Sequence, residues 1–127
     1  MLLTLLATAA SICATPAVHD GDSLRCGFER VRISNIDAPE VPGNPKCRAV
    51  PKPWADCDFR RGQMARDALV AFLGQGPVAI RRQKLDRYGR TLALVTVNGV
   101  DAGEYLISLG LARRWLAAKD FRNAEKQ

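Results

Sequence analysis

The chain has a single histidine, His19, and no Cys-x-x-Cys pair. Those gaps argue against zinc, which takes thiolate and imidazole ligands at close spacing. No apolar run approaches the roughly 20 residues that a bilayer helix needs. No repeat or linker divides the sequence, and 127 residues suffice for one hydrophobic core but not two. Acids are in deficit, 13 against 19 Lys and Arg, for a net charge of +6. Such a field favours polyanions, either nucleic acid or an anionic membrane surface, and says nothing about fold.

Against that balance, Asp20, Asp22, Asp37 and Glu40 gather at turn positions, with Arg32 on a strand between them. On its own, Asp20-Gly21-Asp22 reads as a hairpin turn. Hard oxygen ligands beside a guanidinium are also what metal-assisted attack on a phosphate diester requires.

Residues 1–11 (MLLTLLATAAS) are apolar and uncharged. Ala7-Thr8-Ala9 resembles a signal-peptidase site, although no basic residue precedes the run. The segment is either an atypical or truncated export signal or an apolar stub before the first strand. The cysteines tilt the expectation to an extracytoplasmic, secreted or periplasmic, protein. Four of them permit three disulfide connectivities. A hairpin folded at Asp20-Gly21 brings Cys13 opposite Cys26, and Cys47 and Cys57 bracket a Pro-rich loop. The pairing expected is therefore Cys13–Cys26 and Cys47–Cys57, in an oxidising compartment.

Strands are expected on either side of Asp20-Gly21-Asp22, and a third over 29–36, where Val31 and Ile33 alternate with Arg32 and Ser34. Five prolines punctuate a loop from Ala38 to about Asp58. Met64, Ala65, Ala68, Leu69, Phe72 and Leu73 recur at helical spacing, predicting a helix over 59–73 capped near Gly74. Short strands follow at 78–82 and 91–97, separated by Lys84 to Arg90. Asn98-Gly99 signals a tight turn, and 101–115 reads as an amphipathic helix that Gly110 interrupts or caps. Three strands, a helix, two strands and a helix make a mainly β fold. The order is that of a five-stranded Greek-key barrel of OB type, with one helix between strands three and four and another at the C-terminus. The expected domain covers 12–116, and 117–127 is a polar tail.

By chemistry alone, Asp22 and Asp37 are candidate ligands for a hard divalent cation, and Glu40 is placed to orient a water. Arg32 and Arg90 suit the equatorial oxygens of a pentacoordinate phosphorus. Tyr88 offers a ring for a base or sugar, and Arg87 a cation for a neighbouring phosphate. Taken singly, each of these is more often a solvated surface residue.

Val18-His19-Asp20-Gly21-Asp22-Ser23, Arg32-(x)4-Asp37-Ala38-Pro39-Glu40, Asp86-Arg87-Tyr88-Gly89-Arg90, and Asn98-Gly99 with Leu109-Gly110-Leu111-Ala112 together resemble the thermonuclease, or staphylococcal nuclease-like, family. The motifs are collinear from about residue 12 to 115. The resemblance implies an OB-fold, Ca²⁺-dependent endonuclease that cuts DNA and RNA with low sequence specificity, leaving a 5′-hydroxyl and a 3′-phosphate. It assigns Ca²⁺ to the side chains of Asp22 and Asp37 and the backbone carbonyl of Ala38, with Asp20 supporting them from behind. It makes Arg32, Glu40 and Arg90 catalytic and Arg87 and Tyr88 substrate-binding. Ser23 and Ala38 stand where the family commonly has threonine. Arg113-Arg114-Trp115 replaces its tyrosine-bearing stretch, and the loop between Cys47 and Cys57, with Lys46, Arg48 and Lys52, replaces its mobile basic loop. The expected partners are DNA and RNA substrates, without membrane insertion, and the default state for so small and charged a chain is a monomer. The alternatives are a catalytically inactive OB module that binds nucleic acid or protein, and a small adhesion domain using the basic surface.

Overall fold

A computed structural model of the chain describes residues 10–39 and 59–115. The Pro-rich loop, Glu40 and the expected Cys47–Cys57 bridge lie outside them, as do Lys46, Arg48, Lys52, residues 1–9 and the polar tail. Within the described residues the chain runs β1 (Ser11–Cys13), β2 (Pro16–Asp20), β3 (Ser23–Cys26), β4 (Glu29–Ile33), β5 (Ile36–Asp37), helix α1 (Phe59–Leu73), β6 (Val78–Leu85), β7 (Thr91–Val97), β8 (Val100–Asp101), helix α2 (Ala102–Ser108) and β9 (Arg113–Arg114).

The main sheet has the order β1-β6-β7-β4-β3-β2, with β8 appended to β7. All of its pairings are antiparallel except β4 with β7, which is parallel. Strands β1 and β2 occupy opposite edges yet are joined through only Ala14 and Thr15. So short a link reaches only about 10 Å, so the sheet must curl until its edges meet. Counting β1 and β2 as one interrupted strand recovers the five-stranded OB-type barrel with a helix between its third and fourth strands. The Cys13–Cys26 disulfide joins β1, held on β6, to the end of β3, with the two Cα atoms 5.1 Å apart.

The core is the alternating inward set of the strands, Leu24, Val31, Ile33, Ile80, Val95 and Val97, closed by Leu69 and Phe72 of α1 and Leu106 of α2. On α1 the buried stripe is Gly62, Ala65, Leu69, Phe72 and Leu73. Met64, expected on that stripe, is 52% exposed. Phe72 stacks on Tyr105 of α2 at 4.8 Å between centroids, joining the two helices.

Three boundaries differ from the expectation. Strand β4 stops at Ile33 because residues 34–35 turn the chain into β5. Strand β6 runs on to Leu85 with a bulge between Arg82 and Lys84, so only Asp86 to Arg90 remain as a turn. Helix α2 ends at Ser108 rather than Trp115. Asp101 caps its start by accepting from the Glu104 N–H at 2.8 Å. Gly110, at φ 73°, ends it as the Leu111 N–H returns to the Leu106 carbonyl at 3.0 Å. The chain released there becomes β9, which pairs with β5 by placing Arg113 opposite Asp37.

Candidate functional site

The β2–β3 hairpin turns at Gly21 and Asp22, and the Ile33 N–H reaches back to the Asp22 carbonyl at 2.8 Å. That bond ties the turn to the end of β4, just before the chain bends into β5. Asp20, Asp22, Arg32, Asp37 and Ala38 meet there although they are spread over nineteen positions of sequence.

Glycine is required between the two aspartates by space, not by backbone angle. Gly21 is absent from the left-handed glycines, but a Cβ there would lie 2.7 Å from the Cβ of Ala65 in α1 and 2.8 Å from that of Ala38. Ala65 and Ala38 are themselves buried. Helix α1 is thus pressed directly onto the acidic turn.

Asp20 is buried; its Oδ1 accepts from the Ser23 hydroxyl at 2.6 Å and the Asp22 N–H at 3.3 Å. Asp22 is buried as well, and its Oδ2 accepts from the Ala38 N–H at 2.9 Å. Arg32 is gripped by its own neighbours, with Nη1 donating to the carbonyls of Ile33 (2.8 Å) and Ile36 (3.0 Å). This leaves Nη2 facing Asp22 Oδ2 at 3.6 Å and Asp37 Oδ1 at 3.4 Å. Two carboxylates therefore converge on one guanidinium edge.

Burial, followed by the charge of Asp20, pushes the Asp22 carboxyl well above the ordinary carboxylate range; Arg32 and the Ala38 N–H pull the other way and do not win. The protein alone under-compensates this anion, and the donors around it are hard oxygens. A divalent cation of the Ca²⁺ type fits those two facts. Asp22 and Asp37 would hold it, with Ala38's backbone lying against Asp22. Among the described residues no group of three or more His, Cys, Asp or Glu side chains gathers as a metal site.

Arg90 immediately precedes β7, whose first residue, Thr91, pairs in parallel with Val31. Its Nε donates to Asp86 Oδ2 at 2.7 Å and its N–H to Asp86 Oδ1 at 2.9 Å. The head is thereby aimed while its terminal nitrogens stay uncommitted among the described residues. Gly89, at φ 80°, makes this turn possible. Tyr88 is exposed, its ring 4.9 Å from the Arg87 guanidinium and 5.6 Å from that of Arg90. Arg87 also donates to the Tyr88 hydroxyl at 2.7 Å. Glu40 lies outside the described residues; it follows buried Pro39 in sequence.

Two contacts were not anticipated. Arg113 donates to Asp37 Oδ2 from Nε (3.3 Å) and Nη2 (3.1 Å). The Trp115 ring lies 5.1 Å from the Arg32 guanidinium carbon and is 38% exposed, so it walls the site and is not core. Both follow from the β5–β9 pairing, which a helix drawn through to Trp115 conceals.

Among known proteins, residues 30–127 match the family described as staphylococcal nuclease homologue. The chain is also 32% identical over 121 residues to the succinoglycan biosynthesis protein ExoI of Rhizobium meliloti (strain 1021), a match covering 88% of this chain. It spans 57% of that relative's length.

Proposed function

This chain belongs to the staphylococcal nuclease family, and on that premise we propose that it is a Ca²⁺-dependent endonuclease hydrolysing DNA and RNA with little sequence preference, leaving 5′-hydroxyl and 3′-phosphate ends. The observation that carries the reading is the convergence of Asp22 and Asp37 on one edge of a backbone-locked Arg32.

In this reading Arg32 and Arg90 hold the scissile phosphate from the same face of the β4–β7 pair. Guanidinium N–H groups match the equatorial oxygens as negative charge builds there, and the backbone grip on Nη1 holds the Arg32 head in place. Glu40 takes a proton from the attacking water or orients it. Asp20 fixes Asp22 through the Ser23 hydroxyl and the turn N–H. A bound Ca²⁺ would supply Lewis acidity to the phosphate and its water. The Cys13–Cys26 bridge supports an oxidising, extracytoplasmic location. No helix among the described residues is long and apolar enough to cross a membrane.

One observation favours a second reading, an OB module that binds nucleic acid or protein without cutting it. Arg113 already pairs with Asp37 and competes with an ion for that carboxylate. Incubation with single-stranded DNA and RNA, in Ca²⁺ or in chelator, separates the two. Ca²⁺-dependent cleavage that Glu40→Gln lowers by several orders of magnitude supports the enzyme. No cleavage by folded protein, with binding retained, selects the module.

A further inference from the structure

Beside Arg90, the outer face of β2, β3 and β4 forms a cavity of about 420 Å³. Its polar lining is His19, Ser23, Arg25, Arg30 and Arg90, with no carboxylate among the lining residues. Such a volume lies in the range of small-ligand sites, and every ionisable group in it is basic.

The register makes this arrangement costly. Arg25 and Arg30 are directly opposite each other in the β3–β4 ladder, where like charges repel. Two other exposed arginines have acids: Arg82 holds Glu29 at 2.6 Å and Arg114 holds Glu104 at 3.0 Å. The Arg25 guanidinium has no such acid among the described residues. Arg30 donates from Nη2 to the Tyr88 carbonyl, which fastens the turn bearing Tyr88 and Arg90 to the rim of the same cavity. A file of cations thus leads away from the phosphate-clamping Arg90, with an exposed aromatic ring at one end.

We propose that this groove is a subsite for the nucleic-acid strand flanking the scissile phosphate, in which Arg25 and Arg30 take neighbouring phosphates beyond the substrate contacts that the family resemblance already gives Arg87 and Tyr88. The inference rests on the endonuclease reading and deepens it. A polyanion laid along the groove removes the Arg25–Arg30 repulsion, and an aromatic ring beside the cations is the combination that single-strand binding grooves use. The consequence for function is a preference for strands over dinucleotides, since a dinucleotide's one phosphate reaches only Arg32 and Arg90.

The test uses the full chain in chelator, so that binding is read without cleavage. The probe is a fluorescent single strand of about twelve nucleotides, within the usual span of one OB fold. Arg25→Gln is the variant, because the side chain is exposed and makes no described side-chain contact; Arg25→Lys keeps the charge. Wild type should bind the strand with a strong salt dependence. Arg25→Gln should weaken binding about 3- to 10-fold at moderate salt and flatten the slope of log affinity against log salt by about 0.7. Arg25→Lys should restore the slope, and affinity for a dinucleotide should not change in either variant. An unchanged slope in Arg25→Gln overturns the subsite, as does failure of wild type to bind the strand. Stronger displacement by polygalacturonate than by unlabelled strand assigns the groove to polysaccharide and overturns it too. Absence of Ca²⁺-dependent cleavage in a protein that passes this binding test sinks only the endonuclease reading.

Discussion

Replacing Gly21 by alanine probes the contact on which the acidic site is built. The added methyl would meet two carbons at 2.7 and 2.8 Å, both Cβ atoms fixed to buried backbone and unable to rotate away. Ordinary carbon contacts begin near 3.4 Å, so α1 or the Ala38 segment must withdraw by more than half an ångström. Overpacking of this kind costs about 1–3 kcal/mol. Alanine also has fewer unfolded conformations than glycine, which returns about 0.4–1 kcal/mol. The steric penalty wins, leaving a net loss of about 1–2 kcal/mol. For 127 residues the unfolding entropy is roughly 0.27 kcal/mol/K, so Tm should fall by about 4–7 °C. Because the Ala38 N–H is bonded to Asp22, the same displacement should weaken Ca²⁺ binding. Thermal unfolding followed by circular dichroism, together with calorimetric Ca²⁺ titration, measures both effects. Gly74→Ala is the control. That glycine follows α1, is not left-handed and has no neighbour closer than 3.5 Å to an added Cβ, so its replacement should be neutral or mildly stabilising. If Gly21→Ala melts no lower than wild type, α1 does not press on the turn as described.

Arg113→Ala should tighten Ca²⁺ binding several-fold by freeing Asp37 from a competing cation; a weaker affinity would mean that Arg113 shapes the site instead. Since the Asp22 carboxyl is pushed up by burial and by Asp20, it keeps its proton to a higher pH than an unfolded aspartate does. Ca²⁺ binding should therefore release protons into a weak buffer and strengthen as pH rises; pH-independent affinity without proton release would contradict this. Glu29 moves the other way, from 4.5 to about 2, first because Arg82 hydrogen-bonds it; burial opposes this, and Thr91 and the Arg82 charge add to the lowering. Its contribution is fully present above about pH 4.5 and fades as pH falls toward 2. The pair is solvent-exposed, so Glu29→Gln should cost under about 1 kcal/mol at pH 6, and the gap in Tm from wild type should narrow steadily as pH falls from 4.5 toward 2.

The barrel was legible because its signals are local. Alternation of Val31 and Ile33, the helical recurrence of Ala65, Leu69 and Phe72, and Asn98-Gly99 (φ 53° and 79°) act over a few residues each. The C-terminal helix was misread for the same reason: Leu109 continues its apolar pattern, yet Gly110 turns left-handed and Leu109 is left exposed. Nothing near Arg113 in sequence announces its partner 76 residues earlier. Likewise Gly21 resembles any hairpin glycine, and only the approach of Ala65 explains it.

The sequence by itself determined the order of strands and helices, the chemical types at the acidic turn and the arginine-bearing motifs, because periodicity and turn chemistry are short-range. Only the tertiary structure decided what each charge faces. The curl of the sheet places Asp22 against Ala38 and Arg32 between two acids, β9 delivers Arg113 and Trp115, and the β3–β4 register sets Arg25 against Arg30. Electrostatic and steric energies depend on separations in space, and those are set by chain closure over tens of residues.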